Sequence, residues 1–267
     1  MNRNNHHREA VTAGLRAAAE AEARVLAFWE GGSAAFGRRD EMSDLDLQLL
    51  VKDDFVEPAR TLLEGALRQV AAIEASYILP QPTWHGYWQG FYRLEGLGPY
   101  LLVDACIMKE SDRSLLSEPE IHGQAIVHFD RTGRVGKERA DREQLAAAIK
   151  LRLGRARAAA EMFHLFVDKE AQRGRQLDAL ALYQSLILGP LMETLRIIHD
   201  PYRHNFGSRY LQHCLPDEEY RELQNLSFVG SAAELIVKKE FALGWLKRNL
   251  AAIDPEKVFN GRKNNGR

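Results

Sequence analysis

The sequence predicts an α+β domain followed by an all-α helical bundle. Its first half mixes short apolar runs of strand length with helical segments and shows no regular βαβ period, which favours an α+β class. Its second half shows helical spacing of apolar residues throughout. The predicted boundaries are 1–135 for the first domain, 136–255 for the bundle and 256–267 for a disordered tail.

The elements of the first domain follow from local pattern. An alanine-rich helix is expected from residue 8, leading into the apolar stretch Val25 to Trp29. A second helix is expected over 55–72. Strands are expected at 45–51, 75–79, 87–94, 100–108 and 125–129, with glycine and proline between several of them.

Helical signals continue through the second half. Apolar stripes predict helices over 139–172 and 176–198, and Gly189-Pro190 should kink the latter. Ser231 with Glu234 forms a capping-box pattern at the start of the last helix.

Composition narrows the classes of function. Apolar residues make up 45% and charged residues 27% of the 267 residues, a globular profile. The net charge of −1 disfavours a nucleic-acid partner. No apolar run reaches membrane-spanning length, so no membrane association is expected. The two cysteines have no disulfide or zinc spacing, which suits a cytoplasmic location.

The most informative segment is GGSAAFGRRDEMSDLDLQLLV, residues 31 to 51. A small-residue turn at Gly32-Ser33 precedes Asp44 and Asp46, which are two residues apart on an apolar run. Residues two apart on a strand face the same side, so the two carboxylates should converge. Convergent carboxylates repel each other unless a cation lies between them, and Mg²⁺ prefers oxygen ligands. Each half of the pattern alone is common in turns and exposed strand edges.

A third carboxylate, Asp104, lies inside the apolar run 100–108. An acid there is costly to bury without a partner, and a shared metal ion would supply one. The alternative is a structural aspartate, bonded for example to an arginine.

This segment resembles the signature of the DNA polymerase β-like nucleotidyltransferase superfamily: an apolar strand, Gly-Ser, about ten residues, then Asp-x-Asp. The resemblance implies a mixed-sheet nucleotidyltransferase domain and transfer of a nucleoside monophosphate from ATP or another nucleoside triphosphate. It assigns Gly32 and Ser33 to the triphosphate and Asp44 and Asp46 to Mg²⁺. Asp104 would be a further metal ligand or the base.

The helical partner domain extends the resemblance to aminoglycoside and lincosamide nucleotidyltransferases. That resemblance implies a small-molecule acceptor with a hydroxyl, such as an antibiotic, and a possible homodimer. Arg38 and Arg39 lie between Ser33 and Asp44, where a guanidinium could reach the triphosphate or simply be solvated.

Two other functions stay open: a protein-modifying nucleotidyltransferase of toxin–antitoxin type, and a non-catalytic nucleotide-binding module. The aromatic-rich stretch from Tyr77 to Tyr92 could form a platform for a base, a sugar ring or an apolar acceptor. Ordinary packing of strand aromatics is the alternative.

Overall fold

The computed structural model describes residues 3–259. The chain divides between Ala140 and Asp141 into two compact units. The sequence placed this boundary five residues earlier, at 135.

The first unit is built on a β-sheet. Within residues 3–259 the strands are β1 (Val25–Glu30), β2 (Leu45–Val51), β3 (Ile73–Ile78), β4 (Trp88–Leu94), β5 (Leu102–Lys109) and β6 (Ile126–Asp130). They form one sheet in the order β3-β4-β5-β2-β1-β6. The β2–β5 pair is parallel and the other pairs are antiparallel, so the sheet is mixed.

Helices of the first unit are α1 (Arg3–Ala21), α2 (Gly32–Ala35), α3 (Val56–Val70) and α4 (Pro119–His122). One face of the sheet packs against α1 and α3 and forms a core with Leu15, Leu63 and Leu47. A smaller apolar cluster on the other face includes Trp29 and Met108. The first face is therefore mostly apolar, with Glu30 and Ser76 among its polar exceptions, and the aspartates of β2 and β5 project on the second.

The second unit is helical. Its helices are α5 (Arg142–Ala158), α6 (Leu165–Gln172), α7 (Gln176–Tyr183), α8 (Gly189–His199), α9 (Asp217–Ser227) and α10 (Ala232–Ala252). They enclose a core that includes Ile187, Leu191 and Leu246.

A π-helical turn over 184–188 interrupts the helix predicted over 176–198 directly before Gly189-Pro190, and Pro190 lies in the first turn of α8. A second π-helical turn over 159–163, which the sequence did not predict, joins α5 to α6. The Ser231 hydroxyl caps α10 by accepting a bond from the Glu234 N–H at 3.2 Å. The Glu234 carboxylate accepts from the Gly230 N–H, one residue earlier than in a standard capping box.

The predicted fold class is confirmed: a mixed α+β sheet domain is followed by a helical unit. Part of the predicted tail is described. Val258 and Phe259 pack against the helical core, and the Phe259 ring lies 5.0 Å from that of Tyr202. The rest of the tail, 260–267, lies outside the described residues.

None of the helices within 3–259 combines the length and the apolar character needed to cross a membrane.

Leu63→Ala should lower the free energy of unfolding by about 2–5 kcal/mol, because its fully buried side chain leaves a cavity. Leu62 on the same helix is only partly buried, so Leu62→Ala is the matched control and should cost less. Chemical denaturation followed by circular dichroism compares the two variants. An equal loss for both would contradict the assignment of the buried face of α3.

Candidate active site

Two aspartates lie side by side on the polar face of the sheet. In the parallel β2–β5 pair, Asp46 is directly opposite Asp104. Directly paired residues project on the same face, about 5 Å apart at the backbone. The fold thus brings together two carboxylates that are 58 positions apart in sequence.

Asp44 lies one residue before the start of β2, on the same side of the chain as Asp46. Partial burial raises the pKa of Asp44, and the nearby Arg8 guanidinium opposes this shift. The pKa of Asp104 is also raised, chiefly by burial and further by the negative charge of Asp44. The two carboxylates therefore interact electrostatically.

The Gly31-Gly32 turn lies directly against β2. The Gly31 N–H donates to the Asp46 carbonyl at 3.0 Å. A Cβ on Gly32 would lie 1.8 Å from Asp46 Oδ2, and one on Gly31 would lie 2.8 Å from the Gln48 side-chain amide. Gly32 also has φ +54°, in the left-handed region. Glycine is thus required here by both backbone conformation and close approach.

Ser33 follows this turn with its hydroxyl oxygen buried and without a hydrogen-bond partner among the described residues. The Gln48 side-chain oxygen is also buried without a hydrogen-bond partner among these residues. Buried polar atoms normally have partners, so an unpaired hydroxyl beside an aspartate pair is suited to a polar ligand.

Asp104 is held by a chain of side-chain hydrogen bonds. Gln89 Nε2 donates to Asp104 Oδ1 at 2.7 Å, and His85 Nε2 lies 3.0 Å from Gln89 Oε1. The Tyr87 backbone N–H donates to His85 Nδ1 at 3.1 Å, so His85 Nδ1 is the acceptor and Nε2 carries the proton. Every group in the chain then donates in one direction, toward Asp104. The sequence alone did not predict this role for Gln89 or His85.

A cluster of buried charged side chains lies at the same end of the sheet. Arg8 of α1 is 2% exposed, and its Nη1 donates to the Asp44 carbonyl at 2.9 Å. Glu30, at the end of β1, is 3% exposed, and burial raises its pKa while Arg39 and Arg8 oppose the shift. Arg8 shares the buried face of α1 with Val11 and Leu15. A charged residue on an apolar helix stripe was the signal that could have found it.

The two arginines predicted for the triphosphate have other neighbours in this structure. Arg39 Nη1 lies 3.6 Å from Glu30 Oε1, with nearly half of its side chain exposed. The Arg38 guanidinium lies 5.5 Å from the centre of the Phe36 ring. Their role toward a triphosphate stays a prediction.

The donor set fits a hard cation: Asp44, Asp46 and Asp104 all offer carboxylate oxygens on one face. As the side chains stand, no three Asp, Glu, His or Cys residues within 3–259 are grouped closely enough to hold a metal ion. The carboxylates are therefore adjacent in register rather than gathered into a preformed cage. Mg²⁺ commonly binds through one or two carboxylates plus substrate phosphates, which this arrangement permits.

The aromatic stretch is divided between the two faces of the sheet. Trp88 and Tyr92 belong to the core against α1 and α3. Phe91 lies on the polar face, directly opposite both Asp104 and Tyr77. Packing therefore explains some of these aromatics and leaves others beside the aspartates.

The sequence matches no protein-family model, and no curated protein matches it either. Solved structures do match. One is an aminoglycoside 6-adenyltransferase from Bacillus subtilis, 12% identical, with a TM-score of 0.33 and 94% of each chain covered. Another is a nucleotidyltransferase-like protein from Exiguobacterium sibiricum 255-15, 14% identical, with a TM-score of 0.40. That match covers 92% of this chain and 74% of the other.

Gly32→Ala should destabilise the protein more than Gly37→Ala does. Both glycines have positive φ, so alanine at either position costs about 1–2 kcal/mol in backbone strain. A Cβ at Gly37 meets nothing within 4 Å, whereas one at Gly32 displaces the Asp46 carboxylate. The difference between the two free energies of unfolding, measured by chemical denaturation, reports that displacement. Equal losses would show that Asp46 moves away at no cost.

Proposed function

We propose that this protein is a Mg²⁺-dependent nucleotidyltransferase that moves a nucleoside monophosphate from ATP, or another nucleoside triphosphate, to a hydroxyl of a small molecule. The observation that carries the proposal is the placement of Asp46 between two partners. It lies opposite Asp104 in the β2–β5 pair and packs against the glycine turn that carries the unpaired Ser33 hydroxyl.

Each residue has a role in this proposal. Ser33 donates its hydroxyl hydrogen to a phosphate oxygen, and Gly32 lets the triphosphate approach the backbone closely. Asp44, Asp46 and Asp104 hold Mg²⁺, which when bound neutralises charge on the phosphates. Arg38 and Arg39 would complement the negative charge of the triphosphate.

The transfer is an in-line displacement. The acceptor oxygen forms a bond to the α-phosphorus, the bond from that phosphorus to the pyrophosphate oxygen breaks, and pyrophosphate leaves with its electron pair. Asp104 either completes the metal site, with the hydroxyl proton passing to water, or takes that proton itself. Gln89 keeps the Asp104 carboxylate oriented through Oδ1. A cytoplasmic location, where nucleoside triphosphates and magnesium are abundant, belongs to the same proposal.

Incubation with Mg²⁺, each α-labelled nucleoside triphosphate and a panel of hydroxyl-bearing antibiotics tests this function. We expect label on a small molecule, with pyrophosphate released. Label on protein substrates instead would favour the protein-modifying function. Nucleotide binding without any transfer or pyrophosphate release would favour a non-catalytic module.

Asp44→Asn should lower the transfer rate by about 100-fold or more, because a neutral amide neither binds Mg²⁺ as strongly nor balances its charge. Asp54→Asn is the matched control: Asp54 is an exposed aspartate beyond the opposite end of β2, and its replacement should leave the rate unchanged. Retained Mg²⁺-dependent activity in Asp44→Asn would contradict the site assignment.

Metal binding gives a readout that does not depend on turnover. Asp104→Asn and Gln89→Leu should each weaken Mn²⁺ binding about tenfold, the first by removing a ligand and the second by freeing that ligand to rotate. Electron paramagnetic resonance of Mn²⁺ titrated into each variant measures the affinity, with Asp54→Asn as control. Unchanged affinity in Asp104→Asn would remove Asp104 from the metal site.

A further inference from the structure

A row of paired residues crosses the polar face of the sheet and joins the aspartates to two aromatic rings. Tyr77 on β3 is opposite Phe91 on β4, Phe91 is opposite Asp104 on β5, and Asp104 is opposite Asp46 on β2. Paired residues share a face, so all four side chains project on the same side. At about 4.8 Å per strand, Phe91 lies about 5 Å and Tyr77 about 10 Å from Asp104 along the row.

The two rings stack on each other and are here called the aromatic pair (Tyr77 and Phe91); Tyr77 is exposed and Phe91 is half-buried. Their centroids are 6.5 Å apart with an interplanar angle of 20°, a stacked arrangement. Tyr77 is 59% exposed although it is a large aromatic residue on a strand. The exposed ring of Tyr77 thus lies two strand spacings from Asp104, with Phe91 between them.

Two groups of charged residues lie beside the pair. Glu74 and Arg93 on β3 and β4 form an ion pair at 3.2 Å, so their charges cancel. On the other side of Phe91 lie the carboxylates of Asp104 and Asp46, and the rings themselves add apolar contact to that face. Such a surface suits the apolar face of a sugar or aromatic ring.

The position of the aromatic pair along the row indicates which of the two substrates would bring a ring against it. The Gly32-Ser33 turn follows β1 and lies on one side of Asp46 and Asp104, and the aromatic pair lies on the other side. In an in-line displacement the leaving pyrophosphate and the attacking hydroxyl are on opposite sides of the α-phosphorus. If Ser33 holds the pyrophosphate end, the attacking hydroxyl comes from the side of β4 and β3.

We propose that Tyr77 and Phe91 form the acceptor subsite and stack against an apolar ring that carries or adjoins the acceptor hydroxyl. This inference rests on the proposed nucleotidyl transfer for the direction of the row, and it narrows the acceptor to ring-bearing hydroxyl compounds. Tyr77 is a specificity-determining residue in this assignment.

The test compares p-nitrophenyl β-glucoside, which has an aryl ring, with methyl β-glucoside, which lacks it. The full-length protein is titrated with each compound and followed by saturation-transfer NMR. We expect the aryl glucoside to bind more tightly, and Tyr77→Ala to weaken its binding about fivefold. Tyr77→Phe should retain binding because the ring is kept.

Ser76→Ala is the matched control. Ser76 is the exposed neighbour of Tyr77 on β3 and projects from the opposite face, so its replacement should not change binding. Unchanged aryl-glucoside binding in Tyr77→Ala, or an equal loss in Ser76→Ala, would overturn the proposal.

A second arm distinguishes the acceptor ring from the nucleobase. ATP and inorganic triphosphate, both with Mg²⁺, are titrated into wild type and Tyr77→Ala. Equal ATP affinity in both proteins supports the acceptor subsite, whereas weaker ATP binding with unchanged triphosphate binding would assign the aromatic pair to the base and overturn it. If the wild type does not bind ATP, the proposed nucleotidyl transfer is contradicted. In that case, an aryl-glucoside affinity that depends on Tyr77 would still show that the aromatic pair binds a ring.

Discussion

The parallel pairing of β2 with β5 is the constraint on which the candidate site depends. It sets Asp46 opposite Asp104 and places the next five residues of each strand in register beyond them, all but Gln48 and Lys109 apolar or small. A shift of one residue would turn one aspartate into the core against α1 and α3 and bring an apolar residue to the polar face. The energy that fixes this register is the burial of Leu47, Leu49 and Val103. Core packing therefore determines the geometry of the carboxylates.

Burying polar and charged groups costs free energy, and several such groups lie together at this end of the sheet. Arg8 and Glu30 are almost fully buried on the helix side, while the Ser33 hydroxyl is unpaired on the other. Arg8 Nη1 donates a hydrogen bond to the Asp44 carbonyl, which connects α1 to the segment that carries the first aspartate. Arg8 Nε and Nη2 and Glu30 Oε1 are buried without a hydrogen-bond partner among the described residues. The bond from Arg8 Nη1 thus links α1 to the Asp44 segment, and these other atoms of the cluster make no hydrogen bond within 3–259.

Much of the fold could be predicted from the sequence because the spacing of apolar residues and the positions of glycine, proline and capping residues are local signals. The strand at 45–51, the helix interruption before Pro190 and the Ser231 cap each depend on residues close in sequence. The supporting residues of the site could not be predicted in this way. Gln89 reaches Asp104 only because β4 is antiparallel to β5, and Arg8 reaches Asp44 only because α1 packs across the start of β2. Strand order and helix placement are non-local, and one sequence carries no direct signal for them.

The alternation of strand side chains explains why chemistry and recognition share one surface. The face against α1 and α3 is closed by apolar residues, so a strand can present polar or ring groups to a ligand only on the opposite face. Along the row from β2 to β3, that face changes from carboxylates to rings within three strand spacings. Because the glycine turn occupies the side toward β1, the proposed second substrate approaches the aspartates from the side of β4 and the edge strand β3. Changes at the exposed edge can then alter which ring is accepted without disturbing the buried register that positions the carboxylates.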